Sequence, residues 1–306
     1  MTARGLKSTS ILGLAFLFFS VLQAEAQNAY RTYVSGGTGN DSNPCTLALP
    51  CQTLRAAMLQ TRTFGEVAVL AATEDYGLFG LPVNITKSIS IISAGGRAGI
   101  VGQLVVSPEA GGQVLLRGLD FVTVGVQVTT GLGLSLVIDD CTFFNASIAF
   151  QPSGTATSNL VVRNSIVSGN PAGTGILIQP QSTGKTAAVI ENVNVNNNSF
   201  GIRAFDYANV TVRNSVISEN TASGVRCDSS VGGPASIFVE HSQSSNNAGN
   251  GVIAVGSMAV VRLTDVTITG NANGVYYLSG GTVCSFGNNS IAGNTFTLAP
   301  ATCPLS

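Results

Sequence analysis

The chain has 306 residues, of which only 9% are charged, with 36 Gly, no Trp and a formal net charge of −1. A typical globular domain is about one quarter charged, so the surface here is polar but largely uncharged, and the balance speaks against nucleic acid or an anionic membrane as partner. Length alone would suggest two domains, but a chain of repeats grows in one dimension and escapes that rule.

Residues 1–26 stand apart. Arg4 and Lys7 precede an apolar run from Ile11 to Leu22, and Ala24-Glu25-Ala26 comes after it. This is the order of a cleaved secretory signal, and the run is too short to span a bilayer comfortably. No later segment is long enough to cross a membrane. Without Arg4, Lys7 and Glu25, 12 Lys+Arg face 14 Asp+Glu, a net charge of −2. A secreted, periplasmic or cell-surface protein is expected.

The next stretch, 27–64, reads as a lead-in motif and then a helix. Leu54, Ala57 and Met58 have helical spacing after Thr53, which predicts a short amphipathic helix capping the N-terminal end of a repeat array. Residues 65–297 alternate apolar and polar side chains with a period of two, the pattern of β-strands. Ile85–Ile92 and Gly99–Val106 supply the first turns, and Val114–Gly118 with Gly125–Val128 an early full copy.

From Asp140 onward the copies become regular. Each contains an alternating strand, a polar anchor, a second short strand and an Asn six residues after the anchor. The anchors are Asp140, Asn164, Asn192, Asn214, His241, Asp265 and Asn288, spaced 24, 28, 22, 27, 24 and 23 residues apart. The second Asn falls at Asn170, Asn198, Asn220, Asn247, Asn271 and Asn294; the first copy looks one residue shorter, with Asn145 in that role. Asn and Asp tolerate the left-handed backbone region, so the anchors are expected at sharp corners, with amides stacking from coil to coil. Inward pairs are read as Leu160 and Val162, Val210 and Val212, Ile237 and Val239, and Cys284 and Phe286. A third strand completes each phrase, opened by Gly175, Gly201, Gly224, Gly251 or Gly274. Three short strands per repeat predict an all-β fold, a single-stranded right-handed parallel β-helix solenoid with a short N-terminal capping helix. Residues 298–306, with Pro300, Cys303 and Pro304, form a C-terminal tail.

Six cysteines suit an oxidising destination. Cys45 and Cys51 flank a Pro-containing loop and should form a local disulfide, while Cys284 and Cys303 could tie down the tail. Cys141 and Cys227 sit three coils apart, ~14 Å at the usual strand spacing, too far for one bridge. Both read as small buried hydrophobes.

The repeat resembles the pectate-lyase-like right-handed β-helix, whose copies share the strand–Asn–strand–Gly-strand layout. Tyr33-Val34-Ser35 through Asp41, Asn43-Pro44, Pro50, Thr53 and Ala57 is similar to the opening of many secreted β-helix proteins. The fold hosts many chemistries. For the lyases, the resemblance implies substrate in a cleft along the Gly-opened sheet.

On that sheet the outward positions include Leu177, Arg203, Arg226, Ile253 and Tyr276, then Gln179, Phe205, Asp228, Val255 and Leu278. Arg203, Arg226 and Asp228 are the catalytic candidates, and with Phe205, Asp206, Tyr207 and Tyr276 they compose a candidate saccharide-binding surface. Paired Arg side chains could grip a uronate carboxylate while an aromatic ring stacks on a sugar. In a lyase one Arg would neutralise the carboxylate and the other would abstract the adjacent proton, although an Arg pKa lies above about 12. An exposed Arg–Asp ladder would have the same composition, and such ladders outnumber catalytic sites.

Other chemistries lack their residues. A calcium-dependent lyase needs several converging carboxylates, and only Asp206 and Asp228 are near, so no cofactor is expected and Ca2+ belongs only to the lyase alternative. Zinc is disfavoured because no cysteines have ligand spacing and His241 is the sole histidine. His241 fills an anchor slot, which reads as a corner rather than a triad member. The adjacent Asp139 and Asp140 point to opposite strand faces and do not make a glycosidase pair. Gly36-Gly37-Thr38-Gly39 and Gly95-Gly96-Arg97 lack the Lys-Ser/Thr of a phosphate loop. The loops Gln151–Ser158, Gln179–Thr186 and Asp228–Ala235 could wall a groove. The expectation is a secreted, non-catalytic protein that binds a polysaccharide or cell-surface glycan or acts as a structural, adhesin-like element. The alternative is a polysaccharide lyase or related enzyme acting on acidic polysaccharide.

Overall fold

A computed structural model describes residues 28–70, 82–100, 102–123, 125–129 and 133–304. The expected signal segment, 1–26, lies outside them. The chain winds as a parallel β-helix with three sheets. Among the described residues the first sheet has twelve strands, from Ala29–Val34 to Ala301–Thr302, and the second and third have nine each. One coil shows the plan: Ala208–Arg213 lies in the first sheet, Val216–Ser218 in the second and Ser223–Asp228 in the third. Each of these strands runs parallel to its counterpart in the next coil, with Val210↔Ile237, Ile217↔Ser244 and Val225↔Val252 as register partners.

Alternation makes this stack possible. One inward row of the first sheet runs Leu136, Leu160, Ala188, Val210, Ile237, Val261, Val283, all buried. Phe121 and Phe143 stack in the second sheet with centroids 4.5 Å apart. Each fully buried Val, Leu or Ile contributes about 1.5–3 kcal/mol, and the interior is one continuous hydrophobic cluster.

Two left-handed corners turn each coil. The anchors Asp140, Asn164, Asn192, Asn214, His241 and Asp265 all have φ between 46° and 53°. A second set, again with positive φ, sits five residues later at Asn145, Gly169, Asn197, Glu219, Asn246 and Gly270, and Gly293 takes this place in the last coil. Asn145 is therefore the second corner of its coil, not a displaced copy of the later Asn. The position after it holds Ala146, buried.

The amide ladder lies at the second Asn, not at the anchors. Asn198, Asn220, Asn247 and Asn271 are buried, and each Nδ2 donates to the Oδ1 of the next, at 3.3 Å, 2.9 Å, 2.9 Å and, to Asn294, 2.9 Å. The anchors are exposed, and their amides bond from coil to coil only in places, as where Asn192 Nδ2 donates to Asn164 Oδ1 at 2.8 Å. The Gly that opens each third strand is explained by the ladder. A Cβ on Gly224 would lie 2.8 Å from Asn247 Nδ2, and one on Gly251 would lie 2.7 Å from Asn271 Nδ2.

The last coil departs from the expected parity. Val283, not Cys284, pairs in the inward row, and Phe286 is exposed. The left-handed corner is Gly287, φ 97°, one residue earlier than the Asn288 spacing suggests, so the side chains of the strand Thr282–Ser285 take the faces opposite to those expected, while Ile291 keeps its register with Ile268. Outward-facing Cys284 is thereby placed to bond Cys303, which holds Ala301–Thr302 against the edge of the first sheet. Cys45 and Cys51 form the other disulfide. Cys141 and Cys227 are free and buried, and burial pushes both thiols up to about 12.

The helix Leu54–Gln60 covers the first end with Leu54, Ala57 and Met58. Asp41 holds its start: its carboxylate accepts from the N–H groups of Gln52 and Thr53, both at 2.8 Å, and from the Thr53 hydroxyl at 2.9 Å. Thr53 in turn caps Ala56.

Candidate functional site

The third sheet brings Arg203 and Arg226 together because they are register partners in adjacent coils. Asp228 lies two residues after Arg226 and so shares its face. Asp228 is the hub: Arg203 Nε donates to its Oδ2 at 2.8 Å, while Arg226 Nε and Nη2 donate to its carboxylate at 2.8–3.0 Å. The Asp228 side chain is only 5% exposed and each Arg is 24% exposed. Both guanidinium groups also lie over rings. Arg203 sits 4.4 Å from the Phe205 centroid and 4.9 Å from that of Phe200, and Arg226 sits 5.6 Å from Phe200. Two cations thus share one buried carboxylate and two rings.

Asp206 faces elsewhere. Its carboxylate accepts from the N–H groups of Gly233 at 2.8 Å, Ser230 at 3.1 Å and Val231 at 3.3 Å, and from the Ser230 hydroxyl at 3.3 Å. Burial acts to raise its pKa, but these donors outweigh burial and hold it below the usual carboxylate value. Asp206 therefore pins the loop after Asp228. Tyr276 stands two coils beyond Arg226, with buried Ile253 between, and packs edge-on to Phe296. It is not part of the Arg cluster.

Beside the cluster, the loops after Ile178 and after Asp228 enclose a groove of about 440 Å³. It is lined by Phe205, Asp206 and Tyr207 together with Gln179, Pro180, Gln181, Ser182, Thr183, Ser230 and Val231. Gln179 is already oriented, accepting from Gln151 Nε2 at 2.8 Å. Loop composition signals walls, but which groups line them depends on coil register and is not readable from the residues alone. Among the described residues no three His, Cys, Asp or Glu side chains converge as a metal-binding group. His241 Nε2 lies 3.3 Å from Asp265 Oδ2 at neighbouring exposed corners.

A family model described as a right handed beta helix region matches residues 181–296. The fold is a right-handed parallel β-helix. Solved structures similar to this β-helix include an alginate lyase from Paenibacillus sp. str. FPU-7, 15% identical over 90% of this chain and 100% of that one, TM-score 0.48. Others are pectate lyase Pel9A, 18% identical over 89% and 76%, TM-score 0.47, and a rhamnogalacturonan lyase, 14% identical over 76% and 82%, TM-score 0.42. No curated protein matches the chain in sequence. Identities this low leave the chemistry of the β-helix surface to its own side chains.

Proposed function

We propose that this β-helix is an extracellular saccharide-binding protein that does not turn its ligand over, with the groove between the 179–186 and 228–235 loops as its binding site. The observation that carries the reading is the saturation of Asp228 by Arg203 and Arg226. A lyase base must be free to take a proton and a carboxylate grip must be free to receive one. Here both cations are held by one buried carboxylate and by aromatic faces. The groove beside them offers amides, hydroxyls and two aromatic rings, the combination that orients sugar hydroxyls and stacks on a pyranose face. Two disulfides agree with an oxidising compartment.

The test is a titration of soluble polysaccharides, neutral and uronic, monitored by heat of binding and by ultraviolet absorbance of unsaturated uronate. Saturable binding without absorbance is expected, weakened at least tenfold by Tyr207→Ala and by the exposed-loop variant Gln181→Ala. Absorbance that grows with time on any polyuronate would replace this reading with a lyase.

A further inference from the structure

The outer face of the first sheet carries two parallel rows. At the edge next to the anchors, one register position reads Arg117, Asp139, Arg163, Glu191, Arg213, Glu240 in consecutive coils. The sign alternates at every step. Two residues inward along each strand the row reads Leu115, Val137, Val161, Val189, Thr211, Phe238, all partly exposed. Together they make an apolar band bordered by a charged one, in which Asp139 is buried and bonded to Arg163 and Asn164, in a chain whose surface is otherwise poor in charge.

An alternating row of six has a symmetry property. Read forwards it is + − + − + −; read backwards it is − + − + − +. Turned about a twofold axis parallel to the strands, midway between Ser158–Arg163 and Thr186–Glu191, each charge meets its opposite. Arg117 meets Glu240 of the second copy, Asp139 meets Arg213, and Arg163 meets Glu191. The same rotation lays the apolar row on itself, Val161 on Val189 and Leu115 on Phe238. A twofold axis along the solenoid would instead lay the charged row on the polar edge that holds Gln113 and Asn159, so the charges select the antiparallel arrangement. Within one copy Arg163 and Arg213 reach Asp139 and Glu191 at 3.0 Å, yet the Arg side chains remain 47% and 43% exposed, with donors left for a second carboxylate.

We propose that two copies of this chain pair face to face through the first sheet, antiparallel, about this axis. Six strands at ~4.8 Å spacing and five residues at ~3.3 Å give a footprint of roughly 475 Å² per copy. The total, near 1,000 Å², is about the lower limit for a specific interface. The pair is therefore weak and salt-sensitive, dissociating in the micromolar range, with the sheets aligned as in a β-sandwich.

Sedimentation velocity from about 1 to 200 µM tests it. The wild type shifts from monomer to dimer across that range at low salt, and Val161→Asp holds it monomeric with unchanged far-ultraviolet circular dichroism. R163E sets two carboxylates against each other across the axis and weakens pairing roughly tenfold or more. Adding E191R restores it, although the double variant places like charges side by side within each copy. A role confined to one chain predicts the reverse order. A wild type monomeric throughout the range, or a dimer indifferent to V161D and R163E, overturns the proposal, and neither result bears on the saccharide groove.

Discussion

Asn220 donates to one oxygen of Asn247 twice, from its backbone N–H at 3.1 Å and from Nδ2 at 2.9 Å. Asn247 does the same to Asn271 with both bonds at 2.9 Å. Each buried amide thus closes the backbone of the preceding coil as well as its side chain. Asn247→Ala leaves two buried donors of Asn220 without an acceptor and removes the Asn271 contact. A loss of about 2–4 kcal/mol is expected, read as a lower midpoint in chemical denaturation. Asn214→Ala, at an exposed corner, should cost less, about 1–2 kcal/mol for a left-handed backbone without Asn.

The ladder constrains its neighbour. Gly251→Ala would bring a methyl group to 2.7 Å from Asn271 Nδ2 and 2.8 Å from Gly274 O. The expected cost is about 1–3 kcal/mol, measured the same way. The control Gly232→Ala meets no neighbouring atom and bears only the strain of its φ of 87°.

The loop that walls the groove has an acid limit. Asp206 is held ionised by Gly233, Ser230 and Val231 against the effect of burial, so its folded pKa lies below the unfolded value of about 3.9. The stability it supplies is present above that unfolded value and is lost as pH falls through the folded pKa. Melting temperature against pH should drop below about pH 4, with saccharide binding lost alongside. Asp206→Asn should lower stability at pH 7 and flatten that part of the curve.

The Cys284–Cys303 bridge joins residues 19 apart in sequence. In the chain-entropy model such a loop is worth about 3 kcal/mol. Cys303→Ser should release Ala301–Thr302 from the last coil, lower the melting temperature and expose a strand edge. The checks are calorimetry and light scattering.

The β-helix is legible in the residues because its signals repeat. The Asn spacing, the period-two alternation and the opening Gly recur in register, and Thr53 with Leu54, Ala57 and Met58 announces the capping helix. The role of the Asn is harder to read. Both Asn classes suit corners, and only burial separates Asn214, which turns the chain, from Asn220, which bonds the coils. The second corner hides in the residues because Asn, Gly and Glu219 all occupy it; Gly or Asn five after an anchor is its one available signal. An inward reading of Cys284 and Phe286 fails because Gly287 takes the corner one residue before Asn288. At the candidate site, register alone locates Arg203, Arg226 and Asp228. That Asp228 holds both Arg groups, and that Asp206 turns away to bind loop N–H groups, depends on side-chain direction, which spacing does not encode.

The most direct measurement mixes a polyuronate or a neutral polysaccharide with this β-helix protein and records bound fraction and unsaturated-uronate absorbance in one sample. Saturable binding of at least one of them, lost with Gln181→Ala and Tyr207→Ala and accompanied by flat absorbance, is the predicted result. Rising absorbance that disappears with Arg226→Lys would contradict it, because that Arg would then be free to act on substrate and not held by Asp228.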